Sequence, residues 1–463
     1  MNLQDSKTLR RVTLIVTCGI SFVVPFLMNG VTLAIPDISE TYQASASLMG
    51  WVVNSFLLTS ALFLLPFGRL ADIVGRKKLF ISGLLLFCVF TYLCAFARTV
   101  EIFILFRVLQ GISTALIFST ATALLASAYP PEERGKVLGI SIAVVYFGLS
   151  IGPAAGGFLI FSFGWTSIFL TSATLCLIFF LLAAIAMKGD WTGDKGKPFD
   201  WKGSIIYMVG LAAFLYGLSS LSEHWTFGLI MLGGLLLLFF FVRHELRSEH
   251  PLLPLRLLSK NRVFAFCSMA TLCNYSATFA KTFLMSIYLQ SVLNFDSRAA
   301  GIVLLVQPIV MALIAPYAGS LSDRVDPKKL SPWGMAISTI SLIIFSFLGI
   351  NTPVYLIVAV LIFGGIGFGL FSSPTSNSIM GSVDKEMYGM ASSALASLRM
   401  IGQSISMALA ALVLGSVVGS VQLALVPPEQ LLTAIRVAFA IFSVICLLGV
   451  VSLLRMSAKK EKQ

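Results

Sequence analysis

Fourteen times along 463 residues, the chain runs apolar for about the twenty residues that a helix needs to cross a bilayer. In hydrocarbon every backbone N–H and C=O must be satisfied within the segment or a closed barrel, so runs of this length fold as membrane-crossing helices. They lie near 12–35, 48–69, 79–98, 101–128, 136–160 and 165–187, then 203–222 and 225–242. The last six lie near 263–290, 299–321, 331–350, 353–377, 387–416 and 431–455. Only 11% of the residues are charged, against about 25% in a soluble domain, so a large water-soluble core is excluded. The basic, apolar N-terminus resembles a signal peptide. Its apolar stretch continues to Ile35 without a good cleavage site, which predicts a retained first helix.

The net charge of +12 follows from how the charges alternate between the ends of these runs. With the N-terminus inside, 26 of the 32 lysines and arginines fall in cytoplasmic segments. Arg98, Arg298 and Arg436 fall near the other side, and Arg107, Lys281 and Arg399 fall within runs. The positive-inside rule therefore predicts fourteen spans with both termini cytoplasmic, in an inner or plasma membrane. Part of the basic charge is expected to attract anionic lipid. No basic stripe suggests nucleic acid. The seven cysteines lie in apolar runs without metal-ligand spacing, and the three histidines do not cluster. No nucleophile–base arrangement, P-loop or dinucleotide fingerprint is present, so neither an enzyme nor an ATP-driven pump is expected, and no cofactor or metal.

An internal repeat divides the chain. GRLADIVGRKKL (Gly68–Leu79) follows the second run, and GSLSDRVDPKKL (Gly319–Leu330) follows the second run of the last six. The expected fold is an all-α membrane protein: a six-helix bundle over 1–187, linkers with an inserted helix pair over 188–255, and a second six-helix bundle over 256–463. Parallel repeats of this kind place a transport site where the halves meet.

The same residues resemble the major facilitator superfamily, and within it the fourteen-span drug:proton antiporter branch. GRLADIVGRKK resembles the family's loop between spans two and three. RVLQG (Arg107–Gly111) resembles its fourth-span motif, and GLSIGPAAGG (Gly148–Gly157) its antiporter motif. FDWKG, HELRSEHPLLPLRLL, YLQSVL and SLRMIGQ match weaker signatures of the branch. The resemblance implies proton-coupled export of amphipathic, drug-like solutes by alternating access. The chain departs from it in one respect. Leu27 stands about where many cation exporters carry an aspartate, and Thr32 replaces the motif's asparagine.

The candidate residues follow from both readings. Gly68, Asp72, Gly75, Arg76 and Lys77 read as a latch between conformational states, with a solvated charge cluster as the plain alternative. Gly148, Gly152 and Gly156 share one helix face, widened by Gly157 and bent by Pro153. Small residues there let two helices approach closely. Arg107 lies about 9 Å into its span, with Gln110 and Thr114 on its face. It is read equally as a structural arginine that binds backbone carbonyls and as a coupling residue. Lys281, with Asn274 and Thr278 on its face, is read as lining the substrate cavity or as snorkelling outward. Arg399 reads as structural. No acid falls clearly mid-membrane, which leaves these cations to backbone carbonyls, to loss of a proton or to an anionic ligand.

The expected activity is secondary transport of a small molecule, coupled to protons, by a monomer. The rivals are an exporter or exchanger of organic anions or neutral metabolites, and a non-transporting receptor or scaffold on the same fold.

Overall fold

The computed structural model describes residues 7–187, 198–248, 252–253, 255, 261–322, 325, 327–383, 388–419 and 421–458. The basic clusters at 188–197 and 256–260, and Asp323 and Arg324 of the second repeat copy, lie outside these residues. The described chain is helical throughout. Thirteen helices are long and apolar enough to cross a membrane, and Lys329–Phe345 forms a shorter apolar helix.

The first bundle comprises α1 (Lys7–Leu33), the short α2 (Ile35–Tyr42), α3 (Ala46–Val74), α4 (Arg76–Ala95), α5 (Val100–Ala128), α6 (Pro131–Phe163) and α7 (Thr166–Ala186). The inserted pair is α8 (Trp201–Ser220) and α9 (Thr226–Glu245). In the second bundle, α10 (Arg262–Thr278) and α11 (Lys281–Ile287) share one span, which ends in a π turn over Tyr288–Val292. They are followed by α12 (Ser297–Ser322), α13 (Pro327–Phe345), α14 (Val354–Gly381), α15 (Tyr388–Val418) and α16 (Pro428–Ala458).

Polar side chains start several of these helices. Ser45, Thr99, Asp200 and Asn261 each accept a first-turn N–H, of Leu48, Ile102, Gly203 and Phe264 respectively. These bonds satisfy donors that a helix N-terminus leaves free. Between α3 and α4 the chain turns at Gly75, whose φ of 129° a side chain would strain.

The repeat read in the sequence is also a repeat of packing. In the first bundle α1 packs on α7, α3 on α5, and α4 on α5 and α7. In the second, α10 packs on α16, α12 on α14, and α13 on α14 and α16. The bundles meet along two seams, α6 against α12 and α3 against α15. The inserted pair lies against the second seam. Tyr207, Leu211, Leu215 and Phe241 form one apolar cluster with Leu58, Ala61 and Leu62 of α3 and Ala408 of α15. Tyr207 also donates to the Ala61 carbonyl, and Asn54 to Ser219 Oγ.

Two local features add to the sequence expectation. Between the first two expected spans, which end near 35 and begin near 48, Ile35–Tyr42 forms a short helix started by Pro36 and Asp37. The span expected at 263–290 is broken between α10 and α11, where the Ala280 N–H donates to Ser406 Oγ on α15 at 3.0 Å.

Candidate functional site

Lys7 and Ala458, the described ends of the chain, lie at one face of the bundles, here termed the terminal face. The opposite, far face carries α2 and the short turn at Leu423–Leu425. Hydrogen bonds join the two bundles at the far face. Gln290 Nε2 donates to the Leu33 carbonyl at 2.9 Å, and the Leu423 N–H to the Ala44 carbonyl at 3.4 Å. Ser45 and Gln422 form an antiparallel bridge beside them.

The glycine-rich motif of α6 serves this closure. A Cβ on Gly148 would meet the Phe22 carbonyl of α1 at 2.6 Å, and one on Gly152 would meet Asn29 Cβ at 2.9 Å. One on Gly156 would lie 3.1 Å from Gly30 Cα. These three bind α6 to α1 within the first bundle. Gly157 points across to α12, where a Cβ would lie 2.5 Å from the Ser297 carbonyl. Gly301 of α12 packs against the Pro153 carbonyl in return. Pro153 has no N–H and lies inside a helix. One motif therefore fixes α6 to its own bundle and seals the seam to the other.

At the terminal face, several contacts tie elements together within each bundle. Arg76 binds Asp72 Oδ1 through Nε at 2.8 Å and Nη2 at 2.7 Å, and its Nη1 donates to Ser127 Oγ. This ties the α3–α4 turn, with Gly68, Gly75 and Lys77 around it, to the end of α5. In the second bundle Asn261 donates to the Ser382 carbonyl.

The two deepest cations lie inside the bundles. Arg107 is fully buried. Its Nε donates to the Val52 carbonyl at 3.0 Å, its Nη1 to Gln110 Oε1, and its Cζ lies 4.4 Å from the centre of the Phe56 ring. Gln110 passes the chain on to Thr91 at 2.6 Å, and Thr114 bonds back to the Gln110 carbonyl. The cation is balanced by a carbonyl, an amide and a ring, with no carboxylate partner among the described residues. Lys281 is 4% exposed. A Cβ on Gly364 of α14 would lie 3.6 Å from its Nζ and 2.7 Å from Ser341 Oγ of α13. Thr278 bonds the Asn274 carbonyl, whereas both side-chain amide atoms of Asn274 are buried without a partner.

Arg399 is different in kind. It is half-buried on α15, donates from Nη2 to Ser376 Oγ at 2.9 Å, and lies 5.6 Å from the Tyr275 ring. Its Nε and Gln403 Oε1, one helical turn on, have no partner. The sequence places this arginine in SLRMIGQ but carries no signal of its unfilled donors, because its neighbours come from α10 and α14.

Twelve core helices form two packing repeats that meet along two seams, and the sequence model of the Major Facilitator Superfamily matches residues 17–407 and 267–463. The chain belongs to the major facilitator superfamily. It is a multi-pass membrane protein that transports small molecules. It is 29% identical over 388 residues to the riboflavin transporter RibZ of Clostridioides difficile, covering 84% of each chain. It is 27% identical over 400 residues to the multidrug resistance protein Stp of Mycobacterium tuberculosis, covering 84% of this chain and 72% of that one. A bacterial homologue of the human lysosomal transporter Spinster has the same fold, with a TM-score of 0.72, 16% identity and 98% of each chain covered. The human organic anion transporter MFSD10 aligns with a TM-score of 0.65 at 15% identity, over 96% of this chain and 99% of that one.

Proposed function

We propose that this protein is a fourteen-span secondary transporter of the cell membrane, with both termini cytoplasmic, that exports amphipathic organic solutes in exchange for protons. The observation that carries the reading is the one-sided closure. The described hydrogen bonds between the bundles and the cross-seam glycine contacts gather at the far face. At the terminal face Arg76 binds Asp72 and Ser127 of its own bundle. Such an arrangement admits solute from the cytoplasm, and alternation breaks one set of contacts while making the other. The helix Lys329–Phe345 supplies the fourteenth crossing. The Asp72 turn is the latch that forms across the terminal face in the opposite state. Names among the relatives, multidrug resistance protein and riboflavin transporter, agree with organic cargo.

Arg107, Gln110 and Thr114 stiffen the first bundle. Lys281, Asn274 and Thr278 lie beside the hinge at Phe279–Ala280 and are the candidates for coupling. A second reading, export of organic anions or neutral metabolites, is favoured by Arg399, a membrane-depth cation without a carboxylate partner among the described residues. The deciding experiment is reconstitution of the monomer in liposomes, with flux of cationic, neutral and anionic dyes measured with and without an imposed pH gradient. Uphill export driven by the gradient and lost in Lys281→Met supports proton coupling through the second bundle. Flux that ignores the gradient refutes antiport.

A further inference from the structure

The faces of α15 can be assigned from its contacts, since successive residues turn by about 100°. Ile401, Ile405 and Ala408 pack with α3 and α8. Gly402 and Ser406 meet α10 and α11: a Cβ on Gly402 would lie 2.9 Å from Tyr275 Cβ, and Ser406 accepts the Ala280 N–H. Ala396, Arg399 and Gln403 occupy the sector between these faces, and Ala396 is exposed. That sector looks into the space between the bundles. Arg399 is eleven residues from the start of α15 at Tyr388, or about 17 Å along the helix. A partly exposed guanidinium at that depth belongs in a water-filled cavity, not in lipid.

Comparison with Arg107 shows what Arg399 lacks. Arg107 is saturated by a backbone carbonyl, a glutamine and a ring. Arg399 spends one described bond, to Ser376 Oγ, and stacks loosely over Tyr275. Its Nε is buried with no acceptor, and no carboxylate among the described residues is within ion-pair distance. Gln403 Oε1 is buried with no donor. The pair thus presents a positive, donor-rich group beside an unused acceptor. Tyr275, packed edge-on to Phe368 at 5.6 Å, forms an aromatic wall next to it.

We propose that Arg399 and Gln403 form the subsite of the central cavity that reads substrate charge, and that it takes the oxyanion of a planar organic acid bearing a neighbouring N–H or O–H. Two oxygens of a carboxylate or phosphate match the guanidinium fork, the adjacent donor fills Gln403 Oε1, and the ring system lies on Tyr275. The inference rests on the transporter reading and narrows its cargo from amphipathic solutes in general to anionic ones.

Binding by detergent-purified full-length protein tests it, using three matched fluorescent probes: 2-naphthoate, 2-naphthamide and 2-naphthylmethylammonium. Wild-type protein is expected to bind the acid tightest and the ammonium weakest. Arg399→Gln should weaken naphthoate by about 10- to 100-fold, the range of a charge-assisted bond, and leave naphthamide within about 3-fold. Arg399→Lys keeps the charge but not the fork, and should fall between them. Retained naphthamide binding shows that the variants are folded. Equal affinity of Arg399→Gln and wild type for naphthoate overturns the proposal, as does a wild-type preference for the ammonium probe. Gradient-driven flux in liposomes is measured separately. Its absence for every probe refutes the export reading, while the binding order still decides the role of Arg399.

Discussion

Replacing Gly157 with alanine should open the far face. The added Cβ would lie 2.5 Å from the Ser297 carbonyl oxygen, 3.1 Å from Leu33 Cδ2 and 3.3 Å from Arg298 Cα. A comfortable carbon–oxygen approach is about 3.3 Å or more, so the backbone of α12 must retreat by roughly 1 Å. Overpacking of this size costs about 1–3 kcal/mol. The backbone clash is with the opposite bundle, whereas the Leu33 side-chain end of α1 can rotate away, so the main penalty falls on the state in which α6 and α12 touch. The ratio of closed to open far faces then falls by about 5- to 150-fold. Gly156→Ala is the control: its Cβ would press on Gly30 of the same bundle at 3.1 Å and strain both states alike. Spin labels at Phe96 and Phe347, both highly exposed at the far ends of α4 and α13, report the separation of the bundles by pulsed electron resonance. The long-distance population should grow in Gly157→Ala and stay at the wild-type level in Gly156→Ala. An unchanged distribution in Gly157→Ala, or an equal rise in both variants, refutes the assignment of Gly157 to the seam.

Three further outcomes are expected. Asp72→Asn removes a partly exposed pair with Arg76, so it should cost no more than about 1 kcal/mol of stability while slowing transport at unchanged probe affinity; a matching loss of affinity by calorimetry would place Asp72 in the binding site. Arg107→Met strands the Val52 carbonyl and Gln110 and should destabilise the protein by roughly 2–5 kcal/mol, with part recovered when Gln110→Leu is added, read as melting temperature in detergent; no recovery in the double variant would argue against the network. Asp37, on α2 outside the spans, has its carboxyl raised above 3.8 by burial and then by Glu40. Its folded form therefore holds the proton more tightly than its unfolded form. That contribution is fully present below 3.8 and fades as pH rises through the raised value, so Asp37→Asn should gain on wild type in a melting series across that window. A constant difference would sink this assignment.

Much of the architecture was legible because lipid enforces it. Apolar length, basic residues at alternate ends and the copy of GRLADIVGRKKL at Gly319 each record a constraint that any fold of this chain must meet. The helix at Ile35–Tyr42 leaves little trace in the sequence, because its eight residues are too short and too polar to continue the apolar run before them. The cations were located in sequence, but their surroundings were not. Helical periodicity names the residues on an arginine's own face, such as Gln110, yet the groups that decide its state come from elsewhere: Val52 and Phe56 from α3 for Arg107, Ser376 and Tyr275 from α14 and α10 for Arg399. For Lys281 the continuous helix assumed in the periodicity is interrupted at Phe279–Ala280, one residue before it.

The inserted pair also sets an order of events during synthesis. Its apolar face needs both α3, already made, and α15, still to come. Phe241 and Ala408 belong to one cluster, and at roughly 5–20 residues per second the ribosome takes about 10–30 s to travel between them. Through that interval Tyr207 and Leu211 can dock on Leu58 and Ala61, while the side of the pair meant for α15 faces lipid. Helices α8 and α9 are thus a nascent edge onto which the second half of the molecule must assemble. A substitution that weakens Tyr207 against Ala61 would be felt first as misassembly, before any solute is bound.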